Sequence, residues 1–284
     1  MRTIVLNSKN VVKDGNNNTL IYNFPGGGVN FQDYEIAINT INLYYSWFNI
    51  NKQLYNNADL SYRWLDGIIY NITIPNGFYS ADDINNYFKF VFVKNGHYFL
   101  DAKLNQIFLI SVETNPTYYA IQFTFIPMSV NLMTTQGYVK PSGAIWSVPT
   151  TPMTPSIIIL NNGFSSIVGF EPATYPAQNQ SSIYSVYSNF TPQEKVVSSI
   201  LVSCSLVNSP FSIPSNIIYS FAPEATEFGA IISSHAFNYA WSDVVNNNYT
   251  SVTIKFMDQD FNNIQILDTS MVVTLVLRKK PLHE

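Results

Sequence analysis

Hydrophobic and polar positions alternate in short runs along most of the chain, and turn-forming residues separate these runs. Runs of this kind, rich in β-branched and aromatic residues, are typical of strands. Candidate strands cover residues 20–24, 36–50, 62–65, 68–74, 99–100, 106–112, 118–126, 156–160, 196–207, 217–221, 251–257 and 270–278. Because nearly every connection lacks a helix-length segment, the pattern predicts an all-β sandwich or barrel rather than alternating β-α-β units.

One short helix is predicted in the middle of the chain. Ser80 can cap its first turn, with Asp83 placed three residues later. Apolar side chains then recur at helical spacing, at positions 84, 87, 88 and 91. Asn95 and Gly96 end the segment, and a shorter helical turn is predicted over residues 165–168.

Proline marks a long irregular segment over residues 127–155, which holds five of the 15 prolines. A structureless segment of this length is uncommon inside a compact domain, so it predicts a crossover between sheets or an outer functional loop. Neither an internal repeat nor a flexible linker is found in the sequence. We therefore predict an N-terminal arm over residues 1–18 and one domain over residues 19–284, with a loop elaboration near 127–155.

Charge is sparse in this sequence. Charged residues make up 11% and aromatic residues 15%, whereas charged residues are typically about 25%. The cores of protein interfaces are depleted in charge and enriched in aromatics, so the composition suits a chain that packs against neighbours. An Asn-rich sequence encoded by an AT-rich genome would give the same composition.

Basic residues form one cluster only, at Arg278, Lys279 and Lys280, and the formal net charge is −4. Since no basic stripe with interleaved aromatics is found, sequence-specific reading of nucleic acid is not expected. The cluster is interpreted as a solvated strand end, with contact to packaged nucleic acid as the alternative.

Residues that carry chemistry are scattered, so we predict no catalytic, cofactor-binding or metal-binding residues, no cofactor and no enzymatic activity. Cys204 lies in an apolar run and is predicted to be a buried small hydrophobe. His97, His235 and His283 have no second His or Cys at metal-ligand spacing. His97 is interpreted as a turn or core histidine that makes one hydrogen bond.

Three further segments resemble functional motifs only superficially. Ser234 and His235 are neighbours on a predicted strand, so they point to opposite faces and cannot form a nucleophile–base pair. The segment from Asp258 to Asp260 lacks the glycine and glutamate of an EF-hand and is predicted to be a hairpin turn. Residues 26–28 are glycines without a following Lys-Ser/Thr, so they do not predict a phosphate loop.

Membrane insertion and secretion are not expected. The first 12 residues have no apolar core of a signal peptide, and no apolar stretch approaches 18 residues. Aromatic side chains over residues 44–48 would cover both faces of a strand. We expect the core on one face and a sheet, helix or second subunit on the other, with a sugar-stacking platform as the alternative.

Several segments, taken in order, resemble the penton proteins of virophages and Polinton-like viruses. The most specific is Ile41-Asn42-Leu43-Tyr44-Tyr45-Ser46-Trp47-Phe48-Asn49-Ile50. Others are Tyr22-Asn23-Phe24-Pro25, Ile74-Pro75-Asn76-Gly77-Phe78-Tyr79-Ser80, Asn95-Gly96-His97-Tyr98, Tyr118-Tyr119-Ala120-Ile121-Gln122, the turn from Gly163 to Phe170 with Tyr175-Pro176, and the strand over 198–208.

This resemblance implies a single jelly-roll β-sandwich of two antiparallel sheets with one short helix and long loops. It also implies a structural capsid protein that forms homopentamers at the five-fold vertices of an icosahedral virion, among double jelly-roll major capsid protein hexons. Such a protein is made in the cytoplasm of an infected cell and is not secreted. Residues 1–18 and the tail 279–284 are expected to reach neighbours or the interior, the tail towards packaged DNA.

A carbohydrate- or receptor-binding β-sandwich, such as a lectin-like spike, is the main alternative function. It would require exposed Trp or Tyr beside a calcium or carboxylate site, which the sequence pattern does not display. A jelly-roll enzyme of the cupin or glycosidase type would require grouped histidines or paired acids.

Overall fold

The computed structural model describes residues 1–223 and 226–281. Its contacts divide the chain into two compact units: unit 1 combines residues up to Trp47 with those from Val197 onward, and unit 2 is Phe48–Val196. The sequence predicts one domain with an elaboration near 127–155, whereas the structure groups that segment with the rest of unit 2. No change of composition marks either boundary of unit 2.

Strands make up most of the regular structure, so the predicted all-β class is confirmed. The first are β1 (Arg2–Asn7), β2 (Thr19–Asn23), β3 (Val29–Asn30) and β4 (Tyr34–Tyr44). Unit 2 contains β5 (Asp59–Arg63), β6 (Ile69–Thr73), β7 (Phe99–Leu100), β8 (Gln106–Ile107), β9 (Ile110–Asn115), β10 (Ala120–Phe125), β11 (Ser156–Ile158), β12 (Thr174–Tyr175) and β13 (Tyr184–Tyr187). The last are β14 (Ile200–Cys204), β15 (Ile217–Phe221), β16 (Ile231–His235), β17 (Ser242–Asp243), β18 (Asn248–Tyr249), β19 (Ser251–Met257) and β20 (Val272–Lys279).

The α-helices are α1 (Lys52–Tyr55), α2 (Ala81–Asn95), α3 (Val130–Gln136) and α4 (Phe164–Val168). The predicted helix is confirmed as α2. Its capping box is complete, because the Ser80 side chain accepts from the Asp83 N–H and the Asp83 side chain accepts from the Ser80 N–H. The turn predicted near 165–168 is confirmed as α4, and the Pro-rich segment contains α3, which the sequence analysis missed.

Replacing Ser80 by alanine should lower the free energy of unfolding of unit 2 by about 1 kcal/mol, because the Asp83 N–H loses its acceptor and the Asp83 carboxylate loses the hydroxyl that donates to it. Denaturant unfolding followed by circular dichroism measures the change. Ser142→Ala, at an exposed serine in a turn, is the matched control and should leave the midpoint unchanged. An equal effect of the two substitutions would contradict a stabilising role for the capping box.

Unit 1 contains two larger antiparallel sheets, with strand orders β1-β20-β4-β16 and β15-β14-β19-β2. In the first sheet β17 also pairs with β4, and β18 pairs with β3 in a separate ribbon. Burial alternates along β19, where Val252, Ile254 and Phe256 are fully buried. This period of two is the pattern from which the strands are predicted.

The predicted N-terminal arm over residues 1–18 contains strand β1. All six residues of β1 pair with β20, and Ile4 and Leu6 are buried in unit 1. The alternation of Thr3 and Val5 with Ile4 and Leu6 is a strand pattern, and its buried half supplies the reason for pairing.

Unit 2 has sheets of its own, ordered β12-β11-β5-β6, β13-β10-β9 and β7-β8. The described strands therefore form six sheets, where the resemblance to penton proteins implies two. Asp66 and Gly67 form the predicted turn between β5 and β6. The core of unit 2 is aromatic, and its large, fully buried side chains are Tyr62, Trp64, Phe88, Phe92, Phe99, Phe123, Phe125, Phe164 and Phe170.

Within the described ranges, no helix has the length and apolar character needed to cross a membrane.

Candidate functional site

Cys204 is fully buried in β14. Burial raises the pKa of its thiol to about 12, so the reactive thiolate is scarce at neutral pH. The predicted role of a buried small hydrophobe is confirmed.

Ser234 and His235 lie on β16, and as predicted they do not pair with each other. The Ser234 hydroxyl instead bonds to the Tyr219 hydroxyl at 3.0 Å. His235 Nε2 lies 3.0 Å from the Oγ of Ser233, two residues away on the same face. Because Ser233 Oγ donates its one proton to Asn42 Oδ1 at 2.6 Å, it accepts from His235 and is not activated as a nucleophile.

The Asp258 carboxylate closes the turn that follows β19, as predicted. Its Oδ1 accepts from the N–H groups of Asp260 and Asn262 at 2.9 and 2.8 Å. Across residues 1–223 and 226–281, no three His, Cys, Asp or Glu side chains are grouped as a metal ion would require.

Two residues of the basic cluster, Arg278 and Lys280, contact acidic and aromatic side chains. Arg278 Nε lies 2.7 Å from Glu35 Oε2, and its guanidinium lies 4.1 Å from the centre of the Trp241 ring. Lys280 Nζ lies 2.9 Å from Asp243 Oδ1, and this bond raises the pKa of the ammonium. Residues 282–284 lie outside the described part of the chain, so contact of the tail with packaged DNA stays a prediction.

Aromatic residues after β4 are core residues rather than a surface platform. Tyr45 and Trp47 are each 1% exposed, and their ring centres lie 4.5 Å apart. These two rings are therefore buried in the core, as expected for one face of the strand, and neither can stack on a sugar.

Part of the outer face of the β1-β20-β4-β16 sheet carries no charged side chain. Cross-strand register places two rows of side chains on this face: Asn7, Val272, Asn42 and Ser233, and Val5, Thr274, Thr40 and His235. Neither row contains Asp, Glu, Lys or Arg, and Val5 is 50% exposed. We call these eight residues the outer face. The lack of charged side chains is a feature that these residues share with the cores of protein interfaces.

Large apolar side chains are also exposed near β15 and β16, which are edge strands of the two larger sheets. Phe237, just after β16, is fully exposed, and Phe211 and Ile213 lie 97% and 91% exposed between β14 and β15. A groove of about 460 Å³ runs between the two edge strands, beside Phe237. Contiguous exposed apolar patches are typical of interaction surfaces.

Unit 2 carries a buried polar cluster that the sequence does not reveal. His97 is only 2% exposed. Its Nδ1 accepts a hydrogen bond from the Tyr62 hydroxyl over 2.7 Å. Asn95 Nδ2 donates to the same hydroxyl over 2.8 Å. Burial lowers the pKa of His97 to about 4, so the ring is neutral at pH 7. The predicted core histidine with one hydrogen bond is confirmed.

Aromatic rings enclose His97. Trp64 stacks on it with ring centres 4.7 Å apart and planes 10° apart, and Tyr70 meets it edge-on at 4.5 Å. Tyr70 donates to Asp66 Oδ2 over 2.8 Å, and burial together with that carboxylate raises the pKa of Tyr70 to about 12. These partners are 27 to 35 residues from His97 in sequence, so no local motif signals the cluster.

Solved structures similar to this chain are known, although no sequence family is matched. No family model matches the sequence, and no curated protein matches it. The chain is similar to the crystal structure of the mavirus penton protein; the similarity covers 98% of each chain, with 11% sequence identity and a TM-score of 0.45.

Proposed function

We propose that this chain is a structural capsid protein that forms homopentamers at the five-fold vertices of an icosahedral virion. The strand order of unit 1 carries the proposal. Numbered one to eight along the chain, the strands of the two larger sheets (β1, β2, β4, β14, β15, β16, β19 and β20) are ordered 1-8-3-6 and 5-4-7-2. This order supports a jelly roll, a fold used by viral capsid domains.

The surface of unit 1 supports assembly. Five copies around an axis make a heterologous interface, in which each copy offers two different surfaces and a 72° rotation closes the ring. The outer face and the exposed Phe211, Ile213 and Phe237 are apolar or uncharged surfaces on which such contacts can form. Within the virion we expect double jelly-roll major capsid proteins as further neighbours, as the sequence resemblance implies.

A structural role also fits the chemistry of the described residues. The Ser233 hydroxyl donates to Asn42, the Cys204 thiol is buried, and His97 is enclosed by aromatic rings. None of these groups is arranged as a nucleophile with a base. We therefore propose that the chain is not an enzyme, and that it acts in the capsid after synthesis in the cytoplasm of an infected cell.

Purified protein is expected to form closed five-membered rings, with a mass near five times 32.1 kDa by light scattering. Burying a Phe side chain contributes about 1.5–3 kcal/mol, so Phe237→Ser should weaken each contact by at least about 10-fold. Leu104→Ser, at a 72% exposed residue of unit 2, is the control. A protein that stays monomeric both alone and with major capsid protein would overturn the proposal.

A further inference from the structure

A cleft of about 310 Å³ opens on unit 2 beside the buried His97 cluster. Its lining residues are Asp66, Ile68, Tyr70, Asn95, His97, Ile145 and Trp146. The volume is at the lower end of ligand pockets, and the combination of aromatic walls with a few polar groups is typical of them. We propose that this cleft binds a neutral sugar residue of a glycan. The site is independent of the proposed assembly.

Buried contacts hold the walls of the cleft in place. Trp146 is 5% exposed and donates its indole N–H to the Gly96 carbonyl over 2.8 Å. Its ring also meets Trp64 edge-on at 5.4 Å. His97 is fixed by Tyr62 and by stacking on Trp64. A wall held in this way is formed before a ligand arrives, which lowers the entropy cost of binding.

Polar groups at the cleft suit hydroxyl groups. Asp66 Oδ1 accepts from the Ile68 N–H over 2.9 Å and Oδ2 from the Tyr70 hydroxyl over 2.8 Å. Each carboxylate oxygen has a second lone pair that can accept from a ligand hydroxyl. Asn95 is exposed and gives one of its two amide N–H groups to Tyr62. One acceptor and one amide, side by side, can bond to neighbouring hydroxyls of a pyranose ring.

Charge decides between ligand classes. The lining holds a carboxylate and no Lys or Arg, so an anionic sugar would meet repulsion without a counter-ion. A cationic ligand could pair with the Asp66 carboxylate, and a free aromatic face would strengthen its binding. Lys140 already takes that place at Trp146, because its Nζ lies 5.1 Å from the centre of the indole ring and donates to the carbonyls of Ala144 and Trp146. The cleft therefore offers a cation the Asp66 carboxylate without an aromatic face, whereas a neutral ligand can use the carboxylate, the Asn95 amide and the apolar rim together.

The rim of the cleft is apolar. Ile145 is 99% exposed and Ile68 is 54% exposed. An exposed isoleucine at the mouth of a pocket with polar groups has a natural partner in the C–H face of a pyranose ring, while the hydroxyls at the ring edge reach Asp66 and Asn95. The aliphatic rim and the polar floor thus match the two chemical faces of one sugar.

The test titrates the purified full chain with neutral hexoses, N-acetylhexosamines and their short oligosaccharides, followed by tryptophan fluorescence and by NMR of the indole N–H signals. At least one neutral sugar should bind with a dissociation constant of about 1 mM or tighter. Asp66→Asn, which keeps the size of the side chain, and Ile145→Ala, at an exposed rim residue, should each weaken binding by about 10-fold or more. Leu104→Ala is the control.

Three outcomes would overturn the site: no binding of any neutral sugar, preferential binding of sialylated or amino sugars, or binding that neither variant weakens. Ile145→Ala cannot unfold the core, so it keeps the test decisive if Asp66→Asn lowers stability. Ring formation is measured separately by mass, so failure of the sugar site and failure of the capsid assembly give different results.

Discussion

Replacing Trp64 by alanine is expected to lower the free energy of unfolding of unit 2 by about 3–5 kcal/mol. Trp64 is 1% exposed and contacts the rings of both His97 and Trp146. Its removal leaves a cavity in the middle of an aromatic core, which the neighbouring rings cannot fill without breaking their own contacts. Denaturant unfolding at neutral pH, with hydrogen exchange of the α2 and β5 amides, measures the loss in unit 2.

Two variants locate the origin of this effect. The indole N–H of Trp64 is buried and has no hydrogen-bond partner among the described residues. Trp64→Phe therefore removes an unsatisfied donor, and it removes less side-chain volume than Trp64→Ala does. We expect a loss of less than about 2 kcal/mol for it. Ile69→Ala, at a 53% exposed residue of the same hairpin, should change little. A Trp64→Ala variant as stable as Ile69→Ala would contradict the role of this ring in the core.

Acidification from pH 7 to about 4 should remove on the order of 2 kcal/mol of the stability of unit 2 through His97 alone. Burial lowers the pKa of this ring from 6.5 to about 4 in the folded protein, against the opposing charge of Asp66. Below pH 6.5 the unfolded chain therefore binds a proton at His97, whereas the folded chain binds it only near pH 4. Stability due to the neutral ring is complete above that pH and is lost progressively down to about pH 4.

His97→Gln isolates this contribution, because glutamine can still bond to Tyr62 but does not titrate. Between pH 6.5 and 4 the free energy of unfolding of this variant should fall less steeply than that of the unmodified protein. His235→Gln, at an exposed residue of β16, is the control and should keep the original slope. Equal slopes for all three proteins would show that the buried histidine does not titrate as expected. Carboxylates contribute in the same range but equally in each protein.

Local sequence signals predict the local structure well. Helix α2 and the turn at Asp66-Gly67 are found where they are predicted, since a cap, an apolar stripe and a turn dipeptide all act within a few residues. The core role of Cys204 also follows from its own run of apolar neighbours. The same local logic missed α3, because the prolines around it indicate irregular structure.

The division into two units could not be predicted from the pattern. β4 pairs with β20 and β16, more than 180 residues later in the chain, and such pairing leaves no trace in either strand alone. Residues 47–48 and 196–197 carry no linker composition. The sequence therefore reads as one long series of strands, although unit 2 builds its own aromatic core.

The cleft beside His97 was missed for a related reason. Asp66 and Tyr70 come from the β5-β6 hairpin, Asn95 from the end of α2, and Ile145 and Trp146 from the Pro-rich segment. Each residue alone has an ordinary explanation as a turn, cap or core residue. Only the fold brings these residues together. The resulting cleft has aromatic rings beside a carboxylate, an arrangement that the sequence pattern does not display.

Because unit 2 is inserted in the sequence of unit 1, the two parts of unit 1 are synthesised at different times. β1, β2 and β4 leave the exit tunnel first, yet their sheet partners β16, β19 and β20 are translated only after all of unit 2. At 5–20 residues per second, the roughly 230 residues between β4 and β20 take about 10–50 s to synthesise. During that interval unit 2 can fold, while three strands of the nascent chain present unpaired edges that need protection from aggregation.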